Sequence, residues 1–177
     1  MKKIISVLVL TLLSVSFQAF SASNSEFENI DGMFGYKFGQ DFDNKGQEKS
    51  TNYISLGYTY KINVPEDKQL YVFNNYYVVT TPLTKKINGF FAAEDYRSNA
   101  ECLSYHKIIL TALKMAYGTK GNDDNPNIIY DKDNNDIAIT VECVDNRLFL
   151  ANLDLVLTGT AIKEIAALEN KIVKSLK

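Results

Sequence analysis

The stretch SNAECLSYHKIILTALKMAYG, from Ser98 to Gly118, constrains the fold more than any other: its pattern is helical and it carries one of the chain's 2 cysteines. Ser98 and Glu101 have the S-x-x-E spacing of a capping box, in which the hydroxyl accepts from the Glu101 amide while the carboxylate reaches back to the Ser98 amide. Gly118 can take the left-handed conformation that satisfies the last carbonyls, and Gly121 and Pro126 beyond it disfavour continuation. At about 100° per residue, Cys102, Tyr105, Ile109, Ala112, Leu113 and Ala116 share one face. Leu103, Leu110 and Tyr117 flank it on one side and Ile108 and Met115 on the other, leaving Ser104, Lys107, Thr111 and Lys114 as the polar strip. An apolar arc this wide predicts a central helix buried against a sheet and a further element.

The chain opens on MKKIISVLVLTLLSVSFQAFSAS, with two lysines, an apolar run from Ile4 to Leu13, and small residues at cleavage spacing, Ala19 with Ser21 or Ser21 with Ser23. Residues 1–23 are therefore expected to be a secretory signal peptide and 24–177 a single domain of about 155 residues, enough to bury a core. The run is short for a membrane span and is broken by Ser14, Ser16 and Gln18, and no cysteine near the cleavage site could carry a lipid, so no stable membrane anchor is expected. The expected address is the periplasm, or the medium beyond it. Without Lys2 and Lys3 the 19 basic residues fall to 17 against 21 acidic ones, a net charge of −4. That balance, with no Lys/Arg cluster elsewhere, argues against nucleic acid as a partner.

Two cysteines in an exported chain, Cys102 and Cys143, most economically form one disulfide, with a pair of buried free thiols as the alternative. Closing a loop of roughly 40 residues contributes about 4 kcal/mol in the chain-entropy account. The bond would staple the helix to a later strand.

Residues 24–33 read as a loose acidic lead-in and Phe34 to Gly39 as a short aromatic strand. A charged loop follows from Gln40 to Thr51. Asn52 to Val64 alternates, with Ile54, Leu56, Tyr58, Tyr60 and Ile62 on one face, the period of a half-buried strand. Leu70 to Thr80 is expected to pair with it as an antiparallel hairpin, Tyr71, Phe73, Tyr77 and Val79 facing one way and Val72, Tyr76 and Val78 the other. Thr84 to Glu94 reads as a further strand, 119–127 as a loop, and Ile128–Asp131, Asp136–Val144 and Arg147–Leu157 as strands, the last two joined by a tight Asp145-Asn146 turn. Thr160 is expected to cap a final helix that lies on the sheet surface through a narrow stripe of Ile162, Ile165, Leu168 or Glu169, Ile172 and Leu176. The order of elements predicts an α+β domain: an antiparallel β-sheet with one central buried helix and one C-terminal surface helix.

Catalytic constellations are sparse. The single histidine, His106, lies off the centre of the apolar helix face and reads as a packed or rim histidine. Glu94 and Asp95 are adjacent carboxylates, but neighbours in a strand point to opposite faces. The glycines at 32, 35 and 39 miss both phosphate-binding spacings, so no cofactor is expected. Asp131, Asp133, Asn135 and Glu142 fall at positions 1, 3, 5 and 12 of a calcium-binding loop, yet Asp136 stands where that loop needs glycine and a strand follows, which favours a plain Asx-rich hairpin loop. The chain has 11 tyrosines and no tryptophan. Tyr58, Tyr60, Tyr71, Tyr76 and Tyr77 are explained mostly by cross-strand packing, but Tyr76 and Tyr77 point to opposite faces, so a face without a helix could offer aromatics to a partner.

Phe34-Gly35, Phe38-Gly39, Tyr77-x-Val79, Pro82-x-Thr84-x-x-Ile87, Cys102, Tyr117-Gly118 and Cys143 resemble in their spacing a family of small exported proteins of Gram-negative bacteria with no assigned activity. The likeness spans most of the mature chain. It implies a periplasmic address and a Cys102–Cys143 bond, and it brings no catalytic residue. Together these features lead to the expectation of a non-enzymatic exported protein that binds another protein, as an inhibitor or immunity protein against an envelope-acting enzyme or toxin does. The alternatives are a carboxylate-based hydrolase of an envelope polymer and a calcium-stabilised structural module.

Overall fold

A computed structural model describes residues 31–45, 56–117, 121–122, 125–130 and 136–175. The leader, the start of the Asn52–Val64 strand, and Asp131, Asp133 and Asn135 lie outside these residues. Nine strands and two helices are present among the described residues, in the order β1 (Gly32–Met33), β2 (Tyr36–Lys37), β3 (Tyr58–Ile62), β4 (Asn75–Thr80), β5 (Ile87–Asp95), α1 (Asn99–Tyr117), β6 (Gly121–Asn122), β7 (Asn125–Tyr130), β8 (Ile137–Val144), β9 (Arg147–Asp154) and α2 (Leu155–Ser175). Strands β3 to β9 form one sheet in the order β3-β4-β5-β9-β8-β7-β6, with every neighbouring pair antiparallel. The architecture is α+β. Among the described residues no helix is long and apolar enough to cross a membrane.

Residues paired across an antiparallel ladder share a face, so the register divides the sheet. Tyr60, Val78, Phe90, Asn152 and Ile139 lie along one row of the core face, and Ile62, Tyr76, Ala92, Leu150 and Val141 along the next. Helix α1 covers the β7–β9 half of this face. The β3–β5 half is covered by an aromatic segment before the sheet: Phe34 packs edge-on to Tyr76 with centroids 4.8 Å apart, Phe38 lies 5.1 Å from Phe90, and Phe42 lies 5.3 Å from Tyr60. These rings replace a helix as the second layer.

The aromatic segment is a tight hairpin and not the single strand expected over Phe34–Gly39. Phe34 and Gly35 form the two-residue turn between β1 and β2, with φ of 58° and 87°. Both central residues of such a turn need positive φ, which glycine adopts freely and phenylalanine only at a cost. Phe34 meets that cost by burying its ring, which is 5% exposed. Gly57, with φ of 143°, sits where a Cβ would run into the Thr80 carbonyl, across the ladder from the register shift that leaves Asn88 of β5 unpaired with β4.

Helix α1 starts as the pattern required, with one shift. The Ser98 hydroxyl accepts from the Glu101 amide at 3.2 Å, while the Glu101 carboxylate accepts from the amide of Arg97, one residue earlier than the capping box predicts. Cys102 and Ile109 are buried, and Tyr105, Leu113 and Tyr117 pack against the core. The helix is less enclosed than its wide apolar arc implied: Leu103, Ile108 and Met115 are exposed, Met115 at 82%. Its outer flank has no covering element among the described residues.

Three strand limits also differ from expectation. Strand β4 starts at Asn75, because 69–74 turn back on themselves and leave Tyr71 exposed while Phe73 is buried. Strand β6 pairs with β7 inside the stretch expected to be loop. Strand β9 ends at Asp154, whose carboxylate accepts from the Leu157 amide at 2.9 Å and so caps α2 six residues before Thr160. Thr160 instead donates to the Val156 carbonyl inside the helix. The side chains of α2 that pack are Thr158, Ala161, Ile165 and Leu168, whereas Ile162 and Ile172 are exposed. Beyond Leu168 the described helix is exposed throughout. Glu164 ties α2 to the β4–β5 turn by accepting from the Leu83 amide at 2.6 Å, the Thr84 amide at 3.3 Å and the Thr84 hydroxyl at 2.8 Å.

Cys102 and Cys143 form a disulfide between α1 and β8, with Cα atoms 6.0 Å apart. His106, one turn along the helix, donates from Nε2 to the Val141 carbonyl at 3.0 Å.

Candidate functional site

The other face of the sheet is open over its central strands. Its rows follow from the same register: Asp95, Arg147 and Val144; then Asn75, Ala93, Phe149 and Glu142; then Lys61, Tyr77, Phe91, Ala151, Thr140 and Ile128; then Thr59, Val79, Gly89, Leu153 and Ala138. The last row closes the surface at one end, where Val79 is fully buried and Thr59 and Ala138 are each 6% exposed. The rows before it, with Thr59 of the last row, form a groove of about 360 Å³ lined by Thr59, Asn75, Tyr77, Phe91, Ala93, Thr140, Glu142, Arg147, Phe149 and Ala151.

Side-chain size explains the hollow. Ala93 and Ala151 lie diagonally between the rings of Tyr77, Phe91 and Phe149, so two methyl groups make the floor where three aromatics make the walls. Tyr77 and Phe91 are half-buried and Phe149 is 36% exposed, which leaves ring surface available to a ligand. Concave aromatic surface with a few convergent polar groups is the usual make-up of a binding site.

The polar rim is unequal. Arg147 binds Asp95 through two parallel hydrogen bonds of 2.7 Å each, and its guanidinium lies 5.8 Å from the centre of the Phe149 ring. The hydrogen bond to Asp95 raises the Arg147 pKa, with burial opposing and the charges of Asp95, Tyr77 and Glu94 adding to the rise. Glu142, directly across the ladder from Phe149, is exposed and makes no hydrogen bond or ion pair among the described residues. At the closed end, the Thr59 hydroxyl is buried with no hydrogen-bond partner among the described residues. Such a group costs free energy unless something satisfies it.

The tyrosines singled out from sequence part company here. Tyr77 lines the groove. Tyr60 and Tyr76 belong to the core, 7% and 4% exposed, and Tyr58 packs against it from the same face, so these three offer no ring to a partner on the open face. The Tyr76 hydroxyl lies 2.9 Å from the Leu70 carbonyl and 2.8 Å from that of Phe73, and burial raises its pKa. Tyr71 is 67% exposed, but in the turn before β4 and away from the groove lining. Phe91, Phe149 and Arg147 were not singled out from sequence. The Phe90-Phe91 doublet carried the same signal as Tyr76-Tyr77, since adjacent strand residues must face opposite ways.

The adjacent carboxylates diverge as expected. Glu94 accepts from the Asn74 amide at 2.9 Å and Asp95 is held by Arg147. Glu142, the last position of the calcium pattern, sits on the open face of β8. Among the described residues no three His, Cys, Asp or Glu side chains cluster as a metal site requires. No protein-family model matches the chain, and neither a curated protein nor a solved structure does.

Proposed function

We propose that the protein is a non-enzymatic exported binding protein that takes another protein onto the open face of its sheet, in the manner of an inhibitor or immunity protein for an envelope-acting enzyme or toxin. The observation that carries this reading is the groove itself: Tyr77, Phe91 and Phe149 around an alanine floor, on the sheet face opposite the one that α1 and the Phe34, Phe38 and Phe42 rings cover. Aromatic anchors in a shallow desolvated pocket with a polar rim are what protein interfaces concentrate their energy in. The disulfide fits an oxidising compartment and supports export to the periplasm. A hydrolase needs two carboxylates across a cleft, and the groove lining contains one, Glu142.

The test is capture by the oxidised, tagged protein, expressed as the full chain, from envelope and secreted fractions, beside a Tyr77→Ser/Phe149→Ser variant checked for an unchanged circular dichroism spectrum. A partner retained in stoichiometric amount by the parent and lost by the variant supports the reading. A partner retained equally by both moves the interface off this face, and empty beads at every salt concentration remove the reading.

A further inference from the structure

We propose that the groove receives an extended, basic segment of the partner, with a lysine or arginine side chain of that segment seated against Glu142 and Phe149. This deepens the binding reading above and rests on it. The charged residues of the lining are Arg147 and Glu142. Arg147 is committed to Asp95 by both of its hydrogen bonds, which cancels its charge locally. Glu142 has no compensating cation among the described residues. Lys61, on the same face, sits at the opposite edge of the sheet with its ammonium 3.0 Å from the Asn75 side-chain oxygen, and does not reach Glu142.

Any protein that covers this face takes Glu142 out of water, and a desolvated carboxylate without a partner is strongly unfavourable. The partner must therefore bring a cation. The neighbouring rings suit one, because aromatic faces attract cations and apolar stems alike, and Phe149 already holds the Arg147 guanidinium nearby. The chain's own net charge, −4 once Lys2 and Lys3 of the expected leader are set aside from 19 basic and 21 acidic residues, draws a basic partner at a distance.

The geometry points to an extended segment. From Thr59 on β3 to Glu142 on β8 the lining crosses four inter-strand steps, roughly 19 Å at about 4.8 Å each, the reach of about six extended residues. At the far end from Glu142, the buried Thr59 hydroxyl lacks a partner among the described residues and can donate to or accept from a backbone group of the segment.

The probes are a capped six-residue alanine peptide carrying two lysines, and the same peptide with both lysines acetylated. Each is titrated into ¹⁵N-labelled oxidised protein and followed by amide chemical shifts. The lysine peptide should move the amides of Thr140, Glu142, Phe149 and Ala151. Acetylation or Glu142→Gln should each weaken binding about ten-fold or more, as loss of a charged hydrogen bond does. Glu169→Gln, on the exposed part of α2, should leave binding unchanged. Equal losses in the two variants would show general attraction to an acidic protein and overturn the proposal. So would no effect of Glu142→Gln, or no binding at millimolar peptide. If a captured partner depends on Tyr77 and Phe149 but not on Glu142, the binding reading stands and the basic segment falls.

Discussion

Removing the Cys102–Cys143 bond tests how far the fold depends on one covalent tether. The cysteines are 41 residues apart in sequence. A closed loop of that length restricts the unfolded chain by about 4 kcal/mol in the chain-entropy account. In a domain of this size each kcal/mol moves the midpoint by roughly 2–4 °C, so reduction should lower Tm by about 8–16 °C. Cys102→Ala/Cys143→Ala should lose slightly more, because Cys102 is fully buried and removal of its sulfur leaves a void in the core. Urea unfolding of oxidised, reduced and doubly substituted protein, followed by circular dichroism, separates the two contributions. Since single domains are stable by about 5–15 kcal/mol, the reduced protein should remain folded with α1 exchanging its amides fastest. A loss below about 1 kcal/mol on reduction would refute the tether argument, and a large loss confined to the alanine variant would assign the effect to packing.

Three further outcomes follow from local contacts. The Tyr96 hydroxyl donates to the Val72 carbonyl at 2.9 Å, and burial first, then Tyr105, Glu94 and Glu101, push its pKa from 10.0 up to about 12. Between those values the unfolded chain gives up a proton that the native state keeps, so stability falls as pH rises; Tyr96→Phe should flatten that slope in a pH–Tm series and remove one late-titrating tyrosine from an alkaline absorbance titration. Glu164→Gln weakens three hydrogen bonds between α2 and the β4–β5 turn and should cost about 1 kcal/mol in urea unfolding, the exposure of the site limiting the loss. Asn146, at φ 65° in the β8–β9 turn, should gain about 0.5 kcal/mol on replacement by glycine, read as a higher urea midpoint at unchanged slope.

The elements that sequence located best are those with a chemical signature at both ends. Ser98 and Glu101 mark the start of α1 because capping is a short-range interaction, and Asp145-Asn146 marks the β8–β9 turn because Asx residues tolerate positive φ. The start of α2 was missed for the opposite reason. Asp154 and Thr160 are both acceptable caps, and nothing local decides between them; tertiary structure does, since the Leu155 amide donates to the Asp136 carbonyl as β9 leaves the sheet. Leu70 to Phe73 alternates like a strand, yet it turns, because Phe73 and Val72 reach the core through the turn and the Tyr76 hydroxyl holds the Leu70 and Phe73 carbonyls in place.

The groove was half legible. Alternation alone separates Tyr76 from Tyr77 and Phe90 from Phe91, but it leaves both faces of the sheet apolar and does not say which one is covered. The decision lies with residues far away in sequence: α1 is stapled to β8 through Cys143, and the Phe34, Phe38 and Phe42 rings occupy the same face over β3–β5. Once that face is filled, Tyr77 and its ladder partner Phe91 are left on the other, and the small residues Ala93 and Ala151 keep the surface between the rings hollow. Arg147 and Glu142 then acquire different meanings from the same register. One has an acidic neighbour within its row and is satisfied by it, whereas the other faces a phenyl ring and has its charge to offer. A single-residue slip of β8 against β9 would turn Glu142 to the core face while leaving the Arg147–Asp95 pair, which spans β5 and β9, in place, so the free charge of this face depends on the same turn at Asp145-Asn146 that sets the fold.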